Sequence, residues 1–143
     1  MKKIALFFLV IVIIIVGMSY LYLNYKITYN ETKKENLQFE SYYEKEIYGA
    51  ELTTIINKAI DSNEYNEVLK DKKGKYIDNG KNSINIEIKM LDNEKTYNME
   101  TFYGGGMDKF VQYYNEIKFK CTKLEYHKET KKVKYLLFEQ VTE

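Results

Sequence analysis

The chain has 143 residues, 45% of them hydrophobic, with 22 basic groups, all lysine, against 21 acidic ones. That profile is neither the low-hydrophobicity signature of disorder nor the basicity of a nucleic-acid binder, so both classes drop out. One Cys and one His leave no disulfide framework and no zinc site of the usual Cys/His kind, no cofactor is expected, and without arginine any anion site must use lysine or backbone amides.

Residues 4–23 read IALFFLVIVIIIVGMSYLYL, with no charge, and at 1.5 Å per residue such a run spans a hydrocarbon core of about 30 Å. Three readings compete: an uncleaved anchor, a cleaved signal sequence and a buried core helix. Lys2 and Lys3 form a short basic leader, and Gly17-Met18-Ser19 offers a poor small-x-small cleavage site. The apolar run continues past that site, and Tyr20, Tyr22 and Tyr25 are spaced as an interfacial belt, so the anchor is favoured. Lys2 and Lys3 on one side nearly balance Lys26, Lys33 and Lys34 on the other. A three-residue leader ahead of such a run usually stays in the cytoplasm, which puts the remaining domain on the outer face of the membrane. The expected partition is a cytoplasmic leader at 1–3, an anchor at 4–23, a juxtamembrane helix at 24–48 and an α+β domain at 49–143.

After Gly49, Leu52, Ile55, Ile56, Ala59 and Ile60 fall at helical spacing and predict an amphipathic helix. Turns are expected at Asp71-Lys72-Lys73-Gly74 and Asp78-Asn79-Gly80, with a short strand between them at 75–77. Ile84, Ile86, Ile88 and Met90 alternate with polar residues and predict a strand wet on one face. A turn at 92–95 and a return strand at 96–103 complete an antiparallel hairpin. Gly104-Gly105-Gly106 breaks it, Met107, Phe110, Val111 and Tyr114 predict a short helix, and a second hairpin pairs 117–126 with 133–140 through a turn at 127–132. Phe119 and Cys121 occupy one parity and Leu124 and Tyr126 the other, which a bulge near Thr122 would reconcile. The expected fold is therefore α+β, with a transmembrane helix and helical stalk ahead of an antiparallel sheet of about four strands packed with one or two amphipathic helices.

No residue is singled out as catalytic, cofactor-binding or metal-ligating. His127, flanked by Lys128 and Glu129, reads as a solvated turn residue, and Cys121 reads as a small buried apolar one. Along one strand the two stand about 20 Å apart, too far for a nucleophile–base pair. The three glycines read as a structural break, since Asp108 would repel an anion from the helix that follows and a P-loop ending is missing. Glu87 and Glu100, on facing strands, are expected as cross-strand neighbours of lysines. Tyrosine is the compositional oddity, 15 residues with adjacent pairs at Tyr42-Tyr43 and Tyr113-Tyr114, in which one ring can face the core and the other solvent. These four are the candidate interaction residues.

Glu46-Ile47-Tyr48-Gly49-Ala50-Glu51-Leu52 running into Ile55-Ile56-Asn57-Lys58-Ala59-Ile60, then residues 83–91, then Gly106-Met107-Asp108-Lys109-Phe110, resembles an uncharacterised family of small membrane-anchored proteins of AT-rich Gram-positive bacteria. The likeness covers about residues 40–140 and implies no activity and no site residues. In architecture the chain is also loosely similar to type IV pilins and pseudopilins. Only Met1, Lys2 and Lys3 precede the apolar run, however, and no acid occurs before Glu31, so prepilin processing is not expected. The leading functional expectation is a non-catalytic, single-pass module acting by protein contact, in envelope or secretion-type assembly. The alternatives are a wall-associated glycan or peptide binding domain, or a pilin-like subunit. The expected partners are the lipid bilayer and an envelope protein, with no nucleic acid.

Overall fold

A computed structural model describes residues 2–91, 95–103 and 106–142. Helix α1 (Lys2–Glu40) is followed by β1 (Glu46–Tyr48), α2 (Gly49–Tyr65), β2 (Asn85–Lys89), β3 (Thr96–Asn98), α3 (Met99–Tyr103), α4 (Met107–Tyr114), β4 (Lys118–Tyr126) and β5 (Val133–Gln140). The chain forms two compact units, Met1–Lys34 and Glu35–Glu143.

In the first unit the helix is long and apolar enough to cross a membrane, and none of its apolar window is buried. Ser19, the one serine or threonine within residues 4–23, donates to the Ile15 carbonyl at 2.8 Å, so its hydroxyl is paired inside the apolar run. Tyr25 and Tyr29, one helical turn apart, stack with ring centroids 6.3 Å apart.

The second unit is α+β, built on a five-stranded mixed sheet of order β1-β4-β5-β2-β3. The expected antiparallel sheet of about four strands is matched only roughly. β4 and β5 form the second hairpin, and β2 pairs β3 antiparallel, but β2 and β5 run parallel with Ile86 beside Leu136 and Ile88 beside Phe138. Alternation marks which residues face the core and is silent about strand direction, so the parallel neighbour was not legible. The helix expected over 24–48 stops at Glu40, and Glu46–Tyr48 is an edge strand that buries Ile47 beside Phe119. Glu44, at φ 61°, turns the chain into it. The return strand expected over 96–103 ends at Asn98, because Met99 and Phe102 both enter the core at helical i, i+3 spacing. At 75–77 there is a single bridge, Lys70 to Tyr76, rather than a strand. The turns around it follow their chemistry, with Asp71 Oδ1 accepting from Lys73 N and Asp78 Oδ1 from Gly80 N at 2.8 Å each, and Gly74 and Gly80 at φ 81° and 72°. Most of the expected turn at 92–95 and two of the three glycines at 104–106 lie outside the described residues.

One face of the sheet carries the core. Ile86 and Ile88 of β2, Phe119 and Cys121 of β4 and Leu136 and Phe138 of β5 are fully buried, as are Leu52, Ile55, Ile56 and Ala59 of α2. Each aliphatic or aromatic group so covered is worth about 1.5–3 kcal/mol of transfer free energy. The register slips between Cys121 and Lys123, so Thr122 is the bulged residue and Leu124 returns to the core parity. Phe110 of α4 packs edge-on against Phe102 at 4.7 Å and lies near Phe119 at 5.8 Å, bringing α3 and α4 onto the same face. Gly49 is required where α2 begins, because a Cβ there would sit 1.9 Å from the Tyr114 carbonyl oxygen. The opposite face is wet and charged, with Lys89 on Glu139 at 3.0 Å and Tyr135 Oη donating to Glu87 at 2.8 Å.

Candidate functional site

Each tyrosine pair divides between core and solvent. Tyr42 and Tyr114 pack against the core, Tyr114 stacking on Phe110 at 5.2 Å, while Tyr43 is 41% exposed and Tyr113 68%. Tyr42 and Tyr43 stand beyond the end of α1, where Tyr43 bridges to Cys121 of β4. Tyr113 lies on α4, which packs against α2. The exposed members thus stand on different segments rather than in one shared stack.

The densest polar assembly lies instead at the turn between β4 and β5, and it overturns the solvated reading of His127. That side chain is 2% exposed, with Nε2 2.8 Å from the Ser83 carbonyl. A carbonyl only accepts, so Nε2 carries the proton and Nδ1 faces Asp78 Oδ1 at 3.8 Å. The turn is buried from one side because the loop 78–84 folds across it. Asp78 Oδ2 pairs with Lys134 at 2.7 Å, and its Oδ1 accepts from Gly80 N and from Ser83 Oγ. The Lys134 ammonium, then the Gly80 amide and Ser83 hydroxyl, hold the Asp78 carboxyl down to about 2. His, Asp and Ser meet here, but imidazole touches the serine carbonyl and the hydroxyl bonds the carboxylate. No base-to-hydroxyl line exists, and the arrangement holds a loop in place instead of activating a nucleophile.

Two buried asparagines complete this end of the unit. Asn63 Nδ2 donates to the Ile84 carbonyl at 2.7 Å while its Oδ1 accepts from Ile84 N at 2.8 Å. Asn36 does the same to the β4–β5 turn, donating to the Lys131 carbonyl and accepting from Val133 N. A side-chain amide carries one donor and one acceptor side by side, like a backbone peptide, so each asparagine pairs as a one-residue strand. Glu35 reaches Lys132 at 2.6 Å beside the second clasp. Sequence reasoning missed both. Asn63 was accessible, since it continues the 52, 55, 56, 59, 60 stripe, whereas Asn36 carries no signal beyond standing three residues before the buried Phe39.

Comparison with known proteins gives no match: no family model, no curated protein and no solved structure is similar to this chain. The reading of the site therefore rests on geometry.

Cys121 is fully buried, and burial pushes its thiol up to about 11. Tyr135 is pushed up by burial and by the Glu87 carboxylate it bonds, and Tyr126 by burial and Glu40, to about 12, so both stay neutral hydroxyls. Glu87 on β2 has Lys75 3.8 Å away, as expected of a neighbour of lysine, but Glu100 lies on α3 rather than on a facing strand, and one of its oxygens accepts from Tyr76 N. Among the described residues no three His, Cys, Asp or Glu side chains converge as metal ligands. A shallow groove of about 350 Å³ runs between the last turns of α1 and the second half of α2, lined by Asn36, Phe39, Lys58, Tyr65, Asn82 and Lys132 among others. Its wall carries both charge signs and an exposed tyrosine ring.

Proposed function

We propose that the chain is a single-pass, membrane-anchored module working by protein contact on the outer membrane face, in envelope or secretion-type assembly. The observation that carries this reading is the apolar run of α1, a helix long and apolar enough to cross a membrane and with none of its apolar window buried. About twenty consecutive apolar residues left bare need a bilayer, and a single helix satisfies its own backbone there. It is followed in the chain by a folded unit whose polar clusters brace loops. Crosslinking in intact cells followed by purification of the full chain tests the reading: enrichment of specific envelope proteins supports it, and recovery of the chain alone opposes it.

A second reading draws on Tyr43 and Tyr113, rigid rings that offer contact area at low entropic cost and suit a wall glycan or peptide. Cosedimentation of the detergent-solubilised chain with purified cell wall, abolished by Tyr113→Ala, would favour it over protein contact.

A further inference from the structure

Strand β4 is nine residues long, and only its first part has a neighbour on the outer side. β1 pairs with Lys118, Phe119 and Lys120. The chain ahead of β1 reaches one residue further, where the Cys121 carbonyl accepts from Glu44 N at 2.9 Å and its amide donates to the Lys45 carbonyl at 3.3 Å. Among the described residues no strand pairs with β4 on that side beyond Cys121. His127 N turns inward to the Lys132 carbonyl at 2.9 Å. Backbone groups alternate along a strand, so Tyr126 and Leu124 direct their N–H and C=O outward. A groove of about 670 Å³, lined by Glu40, Glu125, Tyr126 and Lys128 among others, borders this edge, so neither the end of α1 nor the β4–β5 turn fills the space beside it.

Unpaired backbone groups of this kind are a template for another strand, and a lone lysine beside them ordinarily repels one. Here Lys123 is followed two residues later by Glu125 on the same wet face, where the two side chains meet at 2.7 Å with about half of each in solvent, 56% and 42%. That spacing is self-complementary. The covered stretch ends at Cys121 and the turn follows Tyr126, so the open edge runs from Thr122 to Tyr126 with Leu124 at its centre. Antiparallel pairing of two copies about Leu124 sets each Lys123 opposite Glu125 of the second copy, with Cβ atoms about 5 Å apart. The outward N–H and C=O of Leu124 then bond those of Leu124 in the second copy. Moving the centre by one residue, to Lys123 or to Glu125, would instead put like charges face to face, so charge selects this register.

We propose that the outer edge of β4, from Thr122 to Tyr126, docks a second copy of this chain and joins two five-stranded sheets through β4. The proposal goes beyond the contact function above and does not need the anchor. Sedimentation equilibrium of the full chain in density-matched detergent tests it, with dimer expected to form as concentration rises. Lys123→Glu and Glu125→Lys each set like charges opposite one another at both ends of the pairing, and each alone should weaken the dimer about tenfold. An equimolar mixture of the two variants should associate as tightly as the parent, because every lysine again faces a glutamate. A chain that stays monomeric at all concentrations overturns the proposal. A dimer that ignores the single substitutions lies elsewhere on the molecule, and a mixture that stays as weak as its components has no such pairing; either result equally overturns it.

Discussion

His127 shows what a single side chain does in this fold. Its Nε2 satisfies the Ser83 carbonyl in a site with almost no solvent, so His127→Ala leaves a buried acceptor unpaired and a ring-sized void. The expected loss is about 1–3 kcal/mol, read as a lower urea midpoint, against the roughly 0.5 kcal/mol that a solvated turn residue would give. Asp78 acts on the same loop through charge. Its carboxyl titrates near 2 when folded against an ordinary 3.8, so the contribution is complete above about pH 4 and is lost as pH falls through 2. Between pH 5 and pH 2 the wild type should therefore lose more stability than Asp78→Asn, in which that titration is gone. Equal losses would remove Asp78 from the account. For Cys121, a buried thiol raised to about 11 should resist maleimide until the protein unfolds. Cys121→Ser should destabilise more than Cys121→Ala, because a hydroxyl in that apolar site has lost its water. The burial of Cys121 was legible from its parity with Phe119. The burial of His127 was not, since it depends on a loop more than 40 residues earlier folding over the turn.

Among the elements, α2 is where the sequence pattern and the structure agree most fully. Its apolar stripe at 52, 55, 56, 59 and 60 is wholly buried against the sheet. Ile56→Asp puts an unpaired charge into that layer, and an effect of several kcal/mol is expected, comparable with the total stability of a small unit, so its far-ultraviolet circular dichroism should show loss of folding. Gly49→Ala adds one methyl group, yet it meets the Tyr114 carbonyl and must push α2 away from α4. A loss above about 2 kcal/mol is expected, and a variant that melted with the parent would mean the two helix ends do not approach so closely. The bulge at Thr122 followed from a conflict of parity within one strand, a local signal. The three-residue β1 and the parallel pairing of β2 with β5 depend on partners more than 40 residues away, and a run such as Glu46-Ile47-Tyr48 is too short to carry a period.

At the scale of the molecule, a helix apolar enough to cross a membrane is followed by a unit that begins at Glu35, inside the span expected as stalk. Asn36 and Phe39 belong to that unit, so a soluble fragment should start ahead of residue 35. Fragments starting at residue 41 are expected to unfold at lower temperature than fragments starting at residue 30, since they leave the Lys131 carbonyl, the Val133 amide and the core around Phe39 uncovered. On the proposed function, the helix stays in the bilayer uncleaved, with the folded unit outside. Protease added to intact protoplasts, followed by detection of an amino-terminal tag in the membrane fraction, tests it in one step. The expected result is loss of the full-length band and a membrane-retained tagged fragment of a few kilodaltons. Full protection until lysis, or a tag missing from the membranes before any protease is added, would contradict it.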